Sequence, residues 1–113
     1  MHTETMLMKI ESARFGIGGY QDAMLGLHLS FKTQSSGVGT SECFWSPSLI
    51  SHTERCRWTE AERDAKFAQI CRLVDKLLYD AKVSSVDKLV GIPVEVVCEN
   101  RTFKSFRILT EVL

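Results

Sequence analysis

No apolar run in this sequence is longer than a few residues, too short to cross a bilayer. No charge of one sign prevails, because 14 Lys and Arg balance 14 Asp and Glu. Without a basic field, binding of DNA or RNA polymer loses its main sequence-independent term. The four cysteines, Cys43, Cys56, Cys71 and Cys98, include no CxxC pair, and close ligand pairs are the usual mark of a zinc site. The opening Met1-His2-Thr3-Glu4 carries neither the basic start nor the apolar run of an export signal. These absences set the expectation of a cytoplasmic protein with reduced thiols, no metal, no cofactor and no membrane contact.

What is there fits one globular domain over residues 1–113. The hydrophobic share is 44% and the charged share 25%, both ordinary for such a domain. A chain of this length buries roughly two thirds of its unfolded surface, enough for one core.

The pattern predicts an α+β fold: a small antiparallel sheet, made of an N-terminal strand pair and a C-terminal hairpin, packed with one long helix. Residues 7–15 read as a strand of mixed faces, followed by a turn at Gly16-Ile17-Gly18-Gly19. Residues 24–32 alternate, with Leu25, Leu27, Leu29 and Phe31 on one face and Gly26, His28, Ser30 and Lys32 on the other; that is a half-buried strand. Residues 33–40 are rich in Gly and Ser and read as a flexible loop. Residues 48–58 have no period and read as a surface loop.

Thr59-Glu60-Ala61-Glu62 fits a capping box and opens a helix expected over about 60–82. Phe67, Ile70, Cys71, Val74, Leu77, Leu78 and Ala81 follow at helical spacing, flanked by Leu73 and Tyr79. Such a wide stripe calls for burial on two sides, against the sheet and against a partner. Cys71 and Cys98 sit in apolar patterns and are expected to pack as small hydrophobes. A capped turn at 84–89 leads into a hairpin of 94–98 and 103–112.

No catalytic constellation emerges. His52, Cys56 and Cys43 lack a fourth ligand and paired spacing. The carboxylates Glu60, Glu62, Asp75 and Asp80 fall on the solvated side of the helix. Strict alternation in the last strand places Phe103, Ser105 and Arg107 on one face, with Phe106 and Ile108 on the core face. An aromatic ring, a hydroxyl and a guanidinium in line would stack on a base and fork onto phosphate; the competing reading is an exposed sheet face with a cation–π pair. Arg57 and Trp45 belong to a second aromatic–cationic stretch. There, Trp58 is the better candidate for a hydrophobic staple at the helix start.

Several segments resemble a known family: Phe15-Gly16-Ile17-Gly18-Gly19-Tyr20-Gln21-Asp22-Ala23-Met24, Phe44-Trp45, Trp58-Thr59-Glu60, Asp80-Ala81-Lys82-Val83, Lys88-Leu89-Val90-Gly91-Ile92-Pro93-Val94-Glu95-Val96 and Ser105-Phe106-Arg107-Ile108-Leu109-Thr110-Glu111-Val112-Leu113. Together they are similar to small phage and prophage proteins, specifically the phage anti-Thoeris sponges. The likeness spans nearly the whole chain, with Phe106 standing where Trp is expected in relatives.

The resemblance implies a non-enzymatic anti-defence protein of the host bacterial cytoplasm. It would bind cyclic ADP-ribose isomers made by bacterial TIR proteins, and in some cases cyclic oligonucleotides, and hold them uncleaved. It implies a homo-oligomer, a dimer or a hexamer, with ligand sites between chains. The expected ligand-binding set is Phe103, Ser105, Arg107, Arg57, Trp45, Tyr20 and Gln21. The alternatives are a protein-binding phage inhibitor or accessory protein, such as an anti-CRISPR, and a small hydrolase.

Overall fold

The computed structural model describes residues 2–113. Strands β1 (Thr3–Gly18), β2 (Met24–Lys32), β3 (Gly37–Trp45), β4 (Pro93–Glu99) and β5 (Thr102–Ile108) accompany one long helix, α1 (Glu60–Ala81). They form a five-stranded antiparallel sheet in the order β3-β2-β1-β4-β5. The fold is α+β, as the pattern predicts, with two differences in the strands. Residues 37–40, expected to be part of a loop, open β3, because the backbone edge of β2 is satisfied by pairing Gly37 through Trp45 along it. The final hairpin ends at Ile108, and Thr110–Val112 makes a 3-10 turn.

β1 is long because it serves two partners. Its first half, Thr3 to Lys9, pairs with β4, and Lys9 to Gly18 pairs with β2. A bulge at Glu11 separates Ile10, opposite Phe31, from Ser12, opposite Ser30. The extra residue reverses the face parity. Met6, Met8 and Ile10 share the core side with Ala13, Phe15 and Ile17, although no single alternation joins them. That explains why this segment reads as mixed in the sequence.

α1 packs across β2, β3 and β5, while the 3-10 turn Val86–Leu89 packs on β1. The core lies between: Ile10, Leu27, Phe31, Ile70, Leu89, Val94 and Val96 are essentially fully buried. Thr59 caps α1 through its hydroxyl, which accepts the Glu62 N–H at 3.1 Å. Lys82 closes the helix in the left-handed region (φ 60°), with its N–H reaching the Leu78 and Tyr79 carbonyls. Ile70, Leu77 and Ala81 are buried, Phe67, Leu73, Val74 and Leu78 half-buried. Cys71 and Tyr79 instead face solvent, Tyr79 at 82% exposure, so the apolar stripe is narrower than expected. Cys98 is buried as expected. Among the described residues no helix is long and apolar enough to cross a membrane.

Candidate functional site

The sheet has one face under α1 and one face without a helix. Register assigns residues to the open face row by row. Gly18, Met24 and Trp45 form one row; Gly16, Gly26 and Cys43 the next; then Arg14, His28 and Ser41; then Ser12, Ser30 and Gly39. Across the sheet, Leu7, Glu95 and Arg107 form a further row, and Thr5, Val97 and Ser105 another.

The expected set separates on this grid. Ser105 and Arg107 are on the open face, but Phe103 is not. A bulge at Lys104 breaks the alternation, so Phe103 sits opposite Cys98 and Phe106 opposite Val96. Both rings therefore turn to the core side, where Phe31 stacks on Phe103 at 6.0 Å and tilts against Phe106 at 4.8 Å. The expected line of ring, hydroxyl and guanidinium does not form. The Arg107 fork is also taken. Its Nε donates to Glu95 at 3.2 Å, and its two terminal nitrogens donate to the two Glu111 oxygens at 3.1 and 2.9 Å. The bidentate bond from Arg107 holds the Glu111 carboxyl down at about 2. The same two carboxylates raise the pKa of the guanidinium.

Tyr20, Gln21 and Trp45 do come together, at the far end of the open face. Gly19 turns the chain with φ 68°, and Tyr20–Asp22 follows as a 3-10 turn in which Gln21 is left-handed (φ 57°). Tyr20 meets Trp45 edge to face at 6.1 Å and remains 67% exposed. Most of the Tyr20 ring is thus open to solvent, where a base could stack on it. Arg57 is exposed in the loop before α1. Nearby, Trp58 occupies the staple position, but its partner one turn into the helix is a cation. The Arg63 guanidinium stands 4.7 Å over the indole and donates to the Ile50 carbonyl at 2.8 Å. Phe44 closes the other side of Trp58 at 5.4 Å. His52, considered as a ligand, bonds the Trp58 carbonyl at 3.0 Å. This cluster pins the 46–58 loop.

Arg14 and His28 were missed from the sequence. They face each other across β1 and β2. The terminal nitrogens of the Arg14 guanidinium lie over Gly16 and Gly18, 3.3 and 2.5 Å from where their Cβ atoms would stand. His28 Nε2 bonds the Gly16 carbonyl at 3.1 Å and Nδ1 the Ser41 hydroxyl at 2.8 Å. A carbonyl only accepts, so Nε2 carries the proton and Nδ1 is free to accept from Ser41. No acidic side chain pairs with Arg14 among the described residues. The available signal was two glycines flanking one strand face, which leave room for a long side chain to lie down. Beyond them the Cys43 thiol donates to the Met24 thioether at 3.9 Å. Burial first, then the Glu42 carboxylate, push that thiol's pKa up, so it stays neutral.

Chemically, this end of the sheet presents a planar cation with no acidic partner among the described residues, three serine hydroxyls and an exposed aromatic ring on one surface. A guanidinium fork suits phosphate oxygens. Among the described residues, no three of His, Cys, Asp and Glu are grouped to hold a metal. Comparison with known proteins finds no matching family model, no matching curated protein and no matching solved structure.

Proposed function

We propose that this protein binds and sequesters a cyclic nucleotide signal, a cyclic ADP-ribose isomer or a cyclic oligonucleotide, without converting it. The reading is that of a phage anti-defence sponge acting in a bacterial cytoplasm. The observation that carries it is Arg14, a cation with no acidic partner among the described residues, held on a glycine floor on the same open face as the exposed Tyr20 ring. Phosphate on the guanidinium and a base on the ring are the two contacts a nucleotide needs. The family resemblance of the sequence supports the same reading. Arg107 and Ser105 lie farther along the face. Arg107 would join a ligand only by exchanging Glu95 or Glu111 for it. Self-association of the chain is part of the proposal.

The test is to mix excess protein with a cyclic ADP-ribose isomer, remove free ligand, denature by heat and chromatograph what is released. Intact cyclic nucleotide is expected after prolonged incubation, with or without chelator. Time-dependent appearance of a linear product would overturn the sponge reading in favour of a hydrolase. Absence of capture would favour a protein-binding role.

A further inference from the structure

His28 sits between a cation and a hydroxyl. It stands on β2, opposite Arg14 of β1 on one side and Ser41 of β3 on the other. Nε2 donates to the Gly16 carbonyl at 3.1 Å, and Nδ1 accepts from the Ser41 hydroxyl at 2.8 Å. Gly18 is buried although no helix covers this face. The Arg14 guanidinium and the His28 ring both lie over it, 2.5 and 3.2 Å from where its Cβ would stand. The remaining neighbours add no countercharge. One row along β3 is the neutral Cys43 thiol. Glu42 turns to the α1 side, where Lys66 holds it at 2.7 Å. Lys32, two rows away on β2, reaches Glu11 at 4.0 Å. Among the described residues no carboxylate pairs with His28 or Arg14. A second proton on His28 would therefore stand beside Arg14 unbalanced, and like charges on facing strand residues are unfavourable. An anion seated on Arg14 reverses that sign, because it favours the charged imidazole.

We propose that His28 makes this site selective for a doubly charged phosphate-type anion, which binds together with one proton. The inference rests on the anion site of the proposed function and adds its charge preference and its pH dependence. A singly charged anion is matched by Arg14 alone. A second negative charge is matched when Nδ1 of His28 takes a proton from solvent. That proton needs an acceptor, and Ser41 supplies it. The hydroxyl stops donating to Nδ1, accepts from the new Nδ1–H, and turns its own hydrogen out to the anion. Nε2–H keeps the Gly16 carbonyl throughout, so the ring stays where it is. His28 acts through its charge and through Ser41, as a positioning residue; Arg14 and Ser41 touch the ligand. A pyrophosphate diester, with a negative charge on each phosphate, fits this preference, and a carboxylate does not. Among side chains, imidazole ordinarily changes charge between about pH 5 and 8. The bound state holds the extra proton, so affinity for a dianion rises as pH falls through that range. One proton limits the rise to about tenfold per pH unit.

The test follows the ring signals of His2, His28 and His52 by NMR against pH, in sodium sulfate and in sodium chloride at equal ionic strength. Sulfate remains a dianion across the range, so only the protein titrates. Sulfate is expected to raise the His28 midpoint by roughly half a pH unit or more and to leave His2 and His52 unmoved. Arg14→Gln should abolish the difference between the two salts, and Ser41→Ala should reduce it. Both side chains are exposed, so circular dichroism should show native folds. Equal His28 midpoints in the two salts would overturn the inference. So would an equal rise at all three histidines, or a rise that survives Arg14→Gln or is undiminished in Ser41→Ala. Capture of a cyclic ADP-ribose isomer is scored separately. No capture, with sulfate still raising His28, sinks the sponge and leaves the proton coupling standing; capture with His28 unmoved by sulfate does the reverse.

Discussion

Arg14 and His28 stand opposite each other on adjacent strands, and both side chains crowd the space a Gly18 side chain would fill. The guanidinium is 2.5 Å and the imidazole 3.2 Å from that point. The position of the cation depends on a residue having no side chain. Gly18→Ala is expected to lift Arg14 off the sheet and weaken nucleotide binding as much as Arg14→Ala does, with little change in the fold. The loss in either variant should be on the order of 2 kcal/mol, a tens-of-fold drop in affinity, read by calorimetry. Unchanged affinity in both would remove this face from the site.

Gly26 makes a different demand. A Cβ there would fall on the Glu42 carbonyl and the Cys43 backbone of β3. Because the obstacle is backbone, it has no rotamer to yield. Gly26→Ala should cost on the order of 1–3 kcal/mol through local strain, seen as a lower denaturation midpoint at unchanged m-value.

Phe103 tests the bulge in β5. On the open face its removal would be nearly neutral. Stacked on Phe31 under α1, its replacement by Ala should cost about 2 kcal/mol or more, measured by urea unfolding.

The Arg107–Glu111 pair should be visible in acid. The hydrogen bond from Arg107 lowers the Glu111 carboxyl from its ordinary 4.5 to about 2. A depressed acid contributes stability above its unfolded value, and that contribution fades as pH falls through the folded value. The pair is open to water, so its effect on global stability should be small. A carbon-13 titration should place the Glu111 midpoint near 2 in the parent and return it to the ordinary carboxylate range in Arg107→Ala. Coincident titrations would show that the fork is not formed in solution.

Thr59 supplies one capping bond, to the Glu62 N–H. Thr59→Ala should therefore cost about 1 kcal/mol, and Thr59→Ser much less, by thermal unfolding.

What the sequence determined by itself was whatever depends on near neighbours. The two faces of β2 follow from strict alternation of leucines with polar residues, and α1 follows from its cap and its 3.6-residue stripe. Both patterns are complete within one segment, so no distant partner is needed to read them. Tertiary structure alone decided the rest. Gly37 to Thr40 is interrupted by two glycines and joins β3 because β2 has an edge to satisfy. The bulges at Glu11 and Lys104 are set by which residues the neighbouring strands pair, and each reverses the face of everything beyond it. One such reversal turned Phe103 to the core side and dissolved the site expected on β5. Arg107 finds Glu95 and Glu111, and Arg14 finds His28 and two glycines, only when strands distant in sequence are laid side by side. A strand's face is a local property, but its register belongs to the pair, and the candidate site is built from register.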